Sequence, residues 1–137
     1  VTTSGRAAVQ ALSERLLGDL AGAFAFWVCG EDVQRKKPSP EAYAQALERL
    51  GCPADQVLCV EDSVPGLRAA AAAQLPCLVS AYSAREPFGA FEAARAVLSE
   101  LGADRQVLRG PTCQPGRITL SYLELLLASP GSAAHPL

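Results

Sequence analysis

Two charged clusters in this chain could act together: Lys37-Pro38-Ser39-Pro40 and Glu61-Asp62-Ser63. Each falls at the edge of an expected parallel strand. A lysine and two adjacent carboxylates so placed can clamp a phosphoryl group against a divalent cation. Mg2+ suits such a site, because it takes few carboxylates, keeps several waters and accepts phosphate oxygens. Two neighbouring acids at a strand end are costly unless a cation or hydrogen-bond donors satisfy them. A third group, Thr2-Thr3-Ser4, precedes an expected helix, where hydroxyls and backbone N–H groups form an anion site. Taken singly, each group also has a plain structural reading: a helix cap, a proline-punctuated loop and a solvated turn. Their order and spacing as a set point to chemistry. A second acidic pair, Glu31-Asp32, reads either as loop acids at the rim of the site or as a solvated turn.

Short elements must bring these groups together. Gly5 to Leu17 has Val9, Leu12, Leu16 and Leu17 on one face and is stopped by Gly18, which predicts a helix. Phe24 to Val28 reads as a strand running into Cys29-Gly30. Ser39 stands at a helix N-cap with Pro40 at the first helical position, and Tyr43, Ala46, Leu47 and Leu50 continue that helix to Gly51. Val57 to Val60 is a continuous apolar run, as in a strand buried on both faces, and it ends abruptly in the acids. Val64 to Ala73 is an alanine-rich helix, with Gly66 small enough to let it pack closely on the sheet. Leu75 to Ser80 reads as another buried strand. Phe88 to Leu101 reads as a helix closed by Gly102, and Arg117 to Ala128 as a last helix. The intervening segment from Ala103 to Gly116 is irregular apart from a short strand at Val107-Leu108. Apolar strands alternating with amphipathic helices predict an α/β domain with a mainly parallel sheet. In such sheets ligands bind at the carboxyl ends of the strands. The core is expected over residues 1–128, followed by a flexible tail at 129–137 rich in Pro, Gly, Ala and Ser.

Composition excludes several classes. The 137 residues carry 12 basic and 14 acidic side chains, a net charge of −2. The lysines are Lys36 and Lys37 alone and the arginines are scattered, so no basic stripe marks a nucleic-acid partner. No apolar run approaches the roughly 20 residues of a membrane span. Val1-Thr2-Thr3 lacks a basic stretch followed by an apolar one, so no signal peptide is expected. The five cysteines are Cys29, Cys52, Cys59, Cys77 and Cys113, with no C-x-x-C pair, and they read as reduced, mostly buried thiols. A cytoplasmic location is expected, or the plastid stroma if the source is a photosynthetic eukaryote. The single histidine, His135, lies in the tail, so a histidine base is not expected.

The constellation resembles the haloacid dehalogenase-like (HAD) superfamily, whose hallmark is four motifs at strand ends. Thr2-Thr3 resembles the second, a hydroxyl that binds the phosphoryl oxygen, with Ser4 beside it. Lys37, in KKPSPEAY, resembles the third, a lysine that neutralises nucleophile and phosphate. Glu61-Asp62, in VLCVEDSVPGLRAA, resembles the fourth, the acids that hold Mg2+, with Asp62 favoured as the direct ligand. From Val1 to Ser80 the order follows the superfamily, and the similarity is greatest to the beta-phosphoglucomutase/CbbY-like branch. EAARAVLSELG and GRITLSYLELLL are similar to the CbbY-like proteins of photosynthetic organisms, a subfamily that includes a xylulose bisphosphate phosphatase. The resemblance implies a Rossmannoid three-layer sandwich, a Mg2+-dependent phosphatase reaction and a small sugar phosphate as substrate. No protein partner is evident.

The family's first motif, D-x-D, has no counterpart here. The aspartates are Asp19, Asp32, Asp55, Asp62 and Asp104, and no two are so spaced. The helical cap that the family places between its first two motifs is absent too. The chain therefore reads as an N-terminally truncated catalytic domain, without its first strand and cap and inactive alone. That missing strand is central in the family, so the chain alone is expected to be poorly soluble or molten. A non-catalytic binding module and a beta-phosphoglucomutase-type isomerase remain as alternatives. A phospho-receiver domain is disfavoured because no lysine follows Lys37, and a Rossmann dinucleotide binder because no G-x-G-x-x-G occurs.

Overall fold

A computed structural model of the chain describes residues 1–80 and 88–129. The elements are α1 (Arg6–Leu17), α2 (Glu41–Leu50), β1 (Cys59–Glu61), α3 (Val64–Ala72), β2 (Cys77–Ser80), β3 (Ala96–Leu98), β4 (Val107–Arg109) and α4 (Leu120–Ala128). Short 3-10 turns stand at Gly18–Ala23, Ala54–Gln56 and Phe88–Phe91. The sheet runs in the order β1-β2-β3-β4, with β1, β2 and β3 parallel and β4 antiparallel to β3. This is the expected three-layer α/β arrangement.

Alternation along the strands divides the core between the two faces. Cys59, Cys77, Val79 and Val97 pack on one face with Tyr43 of α2 and with Leu67, Ala69 and Ala70 of α3. Leu78, Ala96 and Leu98 point to the other face and meet Tyr122 and Leu126 of α4. Ala69 and Ala70 of α3 are fully buried, so this helix lies close on the sheet, as its composition predicts.

Local signals set most boundaries. Gly18 and Gly51 end α1 and α2 at positive φ, a conformation that glycine adopts without steric penalty. The Ser63 hydroxyl accepts from the Gly66 amide and caps α3. The α2 helix begins one residue later than expected, at Glu41, and the Ser39 hydroxyl accepts from the Glu41 amide at 3.4 Å. The α4 helix begins at Leu120 rather than Arg117, because the Thr119 hydroxyl accepts from the Tyr122 amide.

Three expectations need correction. Phe24 to Val28 is irregular rather than a strand; it packs Phe24 on Trp27 with ring centroids 4.4 Å apart. Even so, Val28 is buried, and the segment beyond it runs beside the first residues of the chain: Thr2 N–H donates to Val28 O, and Gly30 N–H donates to Ser4 O, both at 2.9 Å. A Cβ on Gly30 would stand 2.3 Å from the Thr3 carbonyl oxygen, so this approach requires glycine. The second correction is larger. Phe88 to Leu101 is not a helix; it is a 3-10 turn followed by β3, whose three residues are all buried between β2 and β4. Third, β1 is not buried on both faces. Val60 is 51% exposed, because β1 has β2 on one side and no strand partner on the other among the described residues.

Beyond β3 the chain is braced by one buried guanidinium. Arg105 donates to the carbonyls of Gly102, Gln114 and Gly116 at 2.6–2.7 Å and to Cys113 Sγ at 3.2 Å. The tail expected at 129–137 lies almost wholly outside the described residues, as does His135. Among the described residues no helix is long and apolar enough to cross a membrane.

Candidate phosphoryl-binding site

A cavity of about 690 Å³ opens at the carboxyl ends of β1 and β2, with Val1, Thr2, Thr3, Lys37, Val60, Glu61, Asp62, Ser63, Pro65, Ser80 and Leu101 on its wall. Thr2, Thr3, Lys37, Glu61 and Asp62 are therefore brought together, although they come from three separate stretches of sequence. Ser4 is not on this wall. It lies under α1 with Leu12, Leu16 and Trp27, and its amide donates to Thr2 Oγ1 at 3.1 Å.

Lys37 and Glu61 form the centre of the site. Lys37 Nζ donates to Glu61 Oε1, and the two side chains are 11% and 6% exposed. A buried charge pair of this kind holds only when its remaining polar atoms are also satisfied. Tyr43 supplies that contact: its hydroxyl donates to the same Oε1 from below. The Cys59 thiol donates in turn to Tyr43 Oη at 3.1 Å, and Lys37 Nζ stands 5.1 Å above the Tyr43 ring, in reach of a cation–π contact. Burial, with Cys59 and Glu61 alongside, pushes the Tyr43 phenol far above its ordinary range, so the proton it offers Glu61 stays on the phenol.

Lys37 is aimed by the turn before α2. The Glu41 carboxylate accepts from the backbone N–H groups of Gln34 and Arg35 at 2.7 and 3.1 Å and from Arg35 Nε at 3.4 Å. These amides hold the Glu41 carboxyl below its ordinary range, with burial opposing and Arg35 assisting. Glu61 is aimed by β1 and by the first turn of α3. Asp62, one residue on, is exposed on the cavity wall.

The first backbone N–H of α1 is already engaged. Both Glu31 carboxylate oxygens accept from the Arg6 backbone N–H, at 3.2 and 2.9 Å. Asp32 accepts from the Arg6 guanidinium at 2.6–2.7 Å and from the Cys29 amide at 2.8 Å. The Cys29 amide, then Arg6, hold the Asp32 carboxyl below its ordinary range. Both acids serve α1 and stand away from the cavity wall, which sets aside their reading as acids at the rim of the site.

Three participants escaped sequence reasoning. Ser80 ends β2 on the cavity wall, and its signal was available: a polar residue closing the apolar run PCLVS at a strand's carboxyl end. Tyr43 and Cys59 read as core residues, and their hydrogen bonds to the charged pair depend on what faces them.

The donor set is hard oxygen on one side and ammonium on the other. Asp62 has no hydrogen-bond partner among the described residues and stands exposed on the wall, while Glu61 Oε1 is engaged by Lys37 and Tyr43. Threonine and serine hydroxyls complete the wall. Such a set fits Mg2+ bound through one or two carboxylates plus waters and phosphate oxygens, rather than an all-protein cage.

A mainly parallel α/β sheet with this lysine–acid pair at its strand ends is an arrangement shared with a known family. The chain belongs to the haloacid dehalogenase-like hydrolases: the sequence model of that family matches residues 1–74. It is similar to the plasmid-borne protein CbbY of Cupriavidus necator, 42% identical over 104 residues that make up 74% of this chain and 40% of that protein. The crystal structure of CbbY from Rhodobacter sphaeroides in complex with phosphate superposes with a TM-score of 0.64 at 37% identity, over 72% of this chain and 44% of that one. A mutant of that protein, crystallised with xylulose-(1,5)bisphosphate, matches equally well. A putative beta-phosphoglucomutase from Thermotoga maritima follows, with a TM-score of 0.62 at 31% identity, over 69% of this chain and 44% of that one. The chain spans less than half the length of these relatives.

Proposed function

We propose that this chain is the phosphoryl- and metal-binding part of a Mg2+-dependent phosphatase acting on a small sugar phosphate. The observation that carries this reading is the convergence of Thr2, Lys37 and Asp62 on one cavity, with Lys37 locked to Glu61. The phosphate and the xylulose-(1,5)bisphosphate bound by the CbbY relatives support it. Thr2 and Thr3 orient the phosphoryl oxygens through their hydroxyls. Lys37 offsets the negative charge of phosphate and nucleophile. Asp62 holds Mg2+ directly, with Glu61 completing the acidic side of the site while anchoring Lys37. The bound ion supplies further charge neutralisation at the phosphoryl oxygens. Catalysis of this kind is mostly positioning and electrostatics.

No D-x-D pair occurs among the 137 residues. The nucleophile and its acid–base partner are therefore supplied from outside this stretch, and the 137 residues alone bind phosphate without turning it over. The same observation favours a second reading, a non-catalytic phosphate-binding module. The test is binding of inorganic phosphate to the purified chain, followed by phosphorus NMR with and without Mg2+. Binding is expected to need Mg2+ and to be lost in Asp62→Asn and Lys37→Met. Binding unchanged in both variants would overturn the site. In an active enzyme containing this sequence, Lys37→Ala or Asp62→Ala should lower kcat about a hundredfold or more, as for loss of one preorganised electrostatic group. Near-normal turnover would remove the catalytic reading and leave the module.

A further inference from the structure

We propose that Cys59 and Cys77 are a redox-active dithiol inside the sheet, a site of reversible oxidation by peroxide. The two residues are Cα partners in register on the parallel strands β1 and β2. Residues so paired point to the same face, and both belong to the core shared with α2 and α3. Neighbouring strands lie about 4.7–4.9 Å apart, inside the Cα separation of about 4.4–6.8 Å that a disulfide spans. Both cysteines are free, and both are buried in the same core cluster. The strand spacing is therefore compatible with a bond between them.

Access differs between the two. Cys59 lies on the wall of a groove of about 230 Å³ beside the open edge of β1, together with Leu58 and Val60. Cys77 is 1% exposed and does not reach that groove. A small oxidant therefore meets Cys59 first. In the first step Cys59–SH and H2O2 give Cys59–SOH and water. The Cys77 thiol then attacks the Cys59 sulfur and displaces the hydroxyl as a second water, leaving Cys59–S–S–Cys77. Each sulfur gives up one electron overall, and the peroxide O–O bond takes both. An added thiol reverses the change.

The disulfide has no S–H to give. Tyr43 would lose the donor it has in Cys59 while still holding Glu61, so the oxidised pair would alter the support beneath Lys37 and Glu61. That consequence rests on the proposed phosphoryl site. Formation of the bond does not.

The experiment is peroxide treatment of the fully reduced chain, followed by acid quench, blocking of remaining thiols and peptide mass mapping. A Cys59–Cys77 link that dithiothreitol removes is expected as the main product. In urea the preference for that pair should vanish, because the sheet register creates it. In Cys77→Ser, Cys59 should stop at the sulfenic acid and be trapped by dimedone. The proposal is overturned if Cys52 and Cys113 oxidise while the pair stays alkylatable after denaturation. It is also overturned if other links dominate, or if yields in urea match those in buffer. No readout uses Mg2+ or phosphate, so failure here leaves the phosphoryl reading standing, and the reverse also holds.

Discussion

Gly66 shows how tightly single residues fix the site. A Cβ there would stand 1.8 Å from Glu61 Oε2 and 2.2 Å from its carboxyl carbon. The end of a side chain can usually swing aside, but Lys37 and Tyr43 both hold this carboxylate. Gly66→Ala therefore sets an overpacking cost of about 1–3 kcal/mol against a gain in helix propensity of about 1 kcal/mol. A lower thermal midpoint by circular dichroism is expected. In a Glu61→Ala background the collision is gone, and the same substitution should be neutral or stabilising. Equal loss in both backgrounds would show that the clash is not the cause. Lys37, Glu61 and Asp62 were legible in the sequence, because charges at the ends of apolar runs stand out. The part played by Tyr43 was not. Helical spacing shows that it faces the sheet, whereas the partner of its hydroxyl depends on the position of β1, 16–18 residues away.

At the scale of elements, two carboxylates tie the segment before α2 to its neighbours. Asp32 and Glu41 both have folded pKa values depressed by backbone amides and by arginines. A depressed carboxylate contributes stability above its unfolded pKa, near 4. That contribution is lost as pH falls through the lower, folded value. The amides of Cys29, Gln34 and Arg35 should therefore keep their NMR shifts from neutral pH to about pH 4 and move together below it. Asp32→Asn and Glu41→Gln should flatten the response at the amides each one bonds. A transition centred above pH 5 would contradict this account. The elements were legible where punctuation was strong: Gly18, Gly51 and Ser63 mark ends that the structure keeps. The strand β3 was hidden in AARAVLSE, which is rich in helix formers. Three buried residues paired on both sides outweigh that propensity, and pairing is a tertiary fact that local pattern does not contain. For Phe24 to Val28 the pattern gave a strand, and the structure gives irregular backbone with two bonds at its end to the first residues of the chain.

For the whole molecule, the open edge of β1 governs behaviour. Val60 faces solvent there, and Leu12, Leu16, Leu20 and Phe24 are exposed on and after α1. Exposed apolar surface beside unpaired strand edges invites dye binding and self-association. The purified chain is expected to bind ANS, to sediment heavier as concentration rises and to melt over a broad range. A sharp cooperative melt with a concentration-independent monomer would refute this. At the other end of the sheet the Arg105 brace has a different character. Its hydrogen-bond partners are three backbone carbonyls and one sulfur, none of them a carboxylate. The brace therefore involves no carboxylate, whereas the α1 side depends on Asp32, whose carboxyl bonds the Cys29 amide and Arg6. Acidified slowly, this chain should not collapse all at once. It should come undone like a zip, from its front, with the β3–β4 end the last to let go.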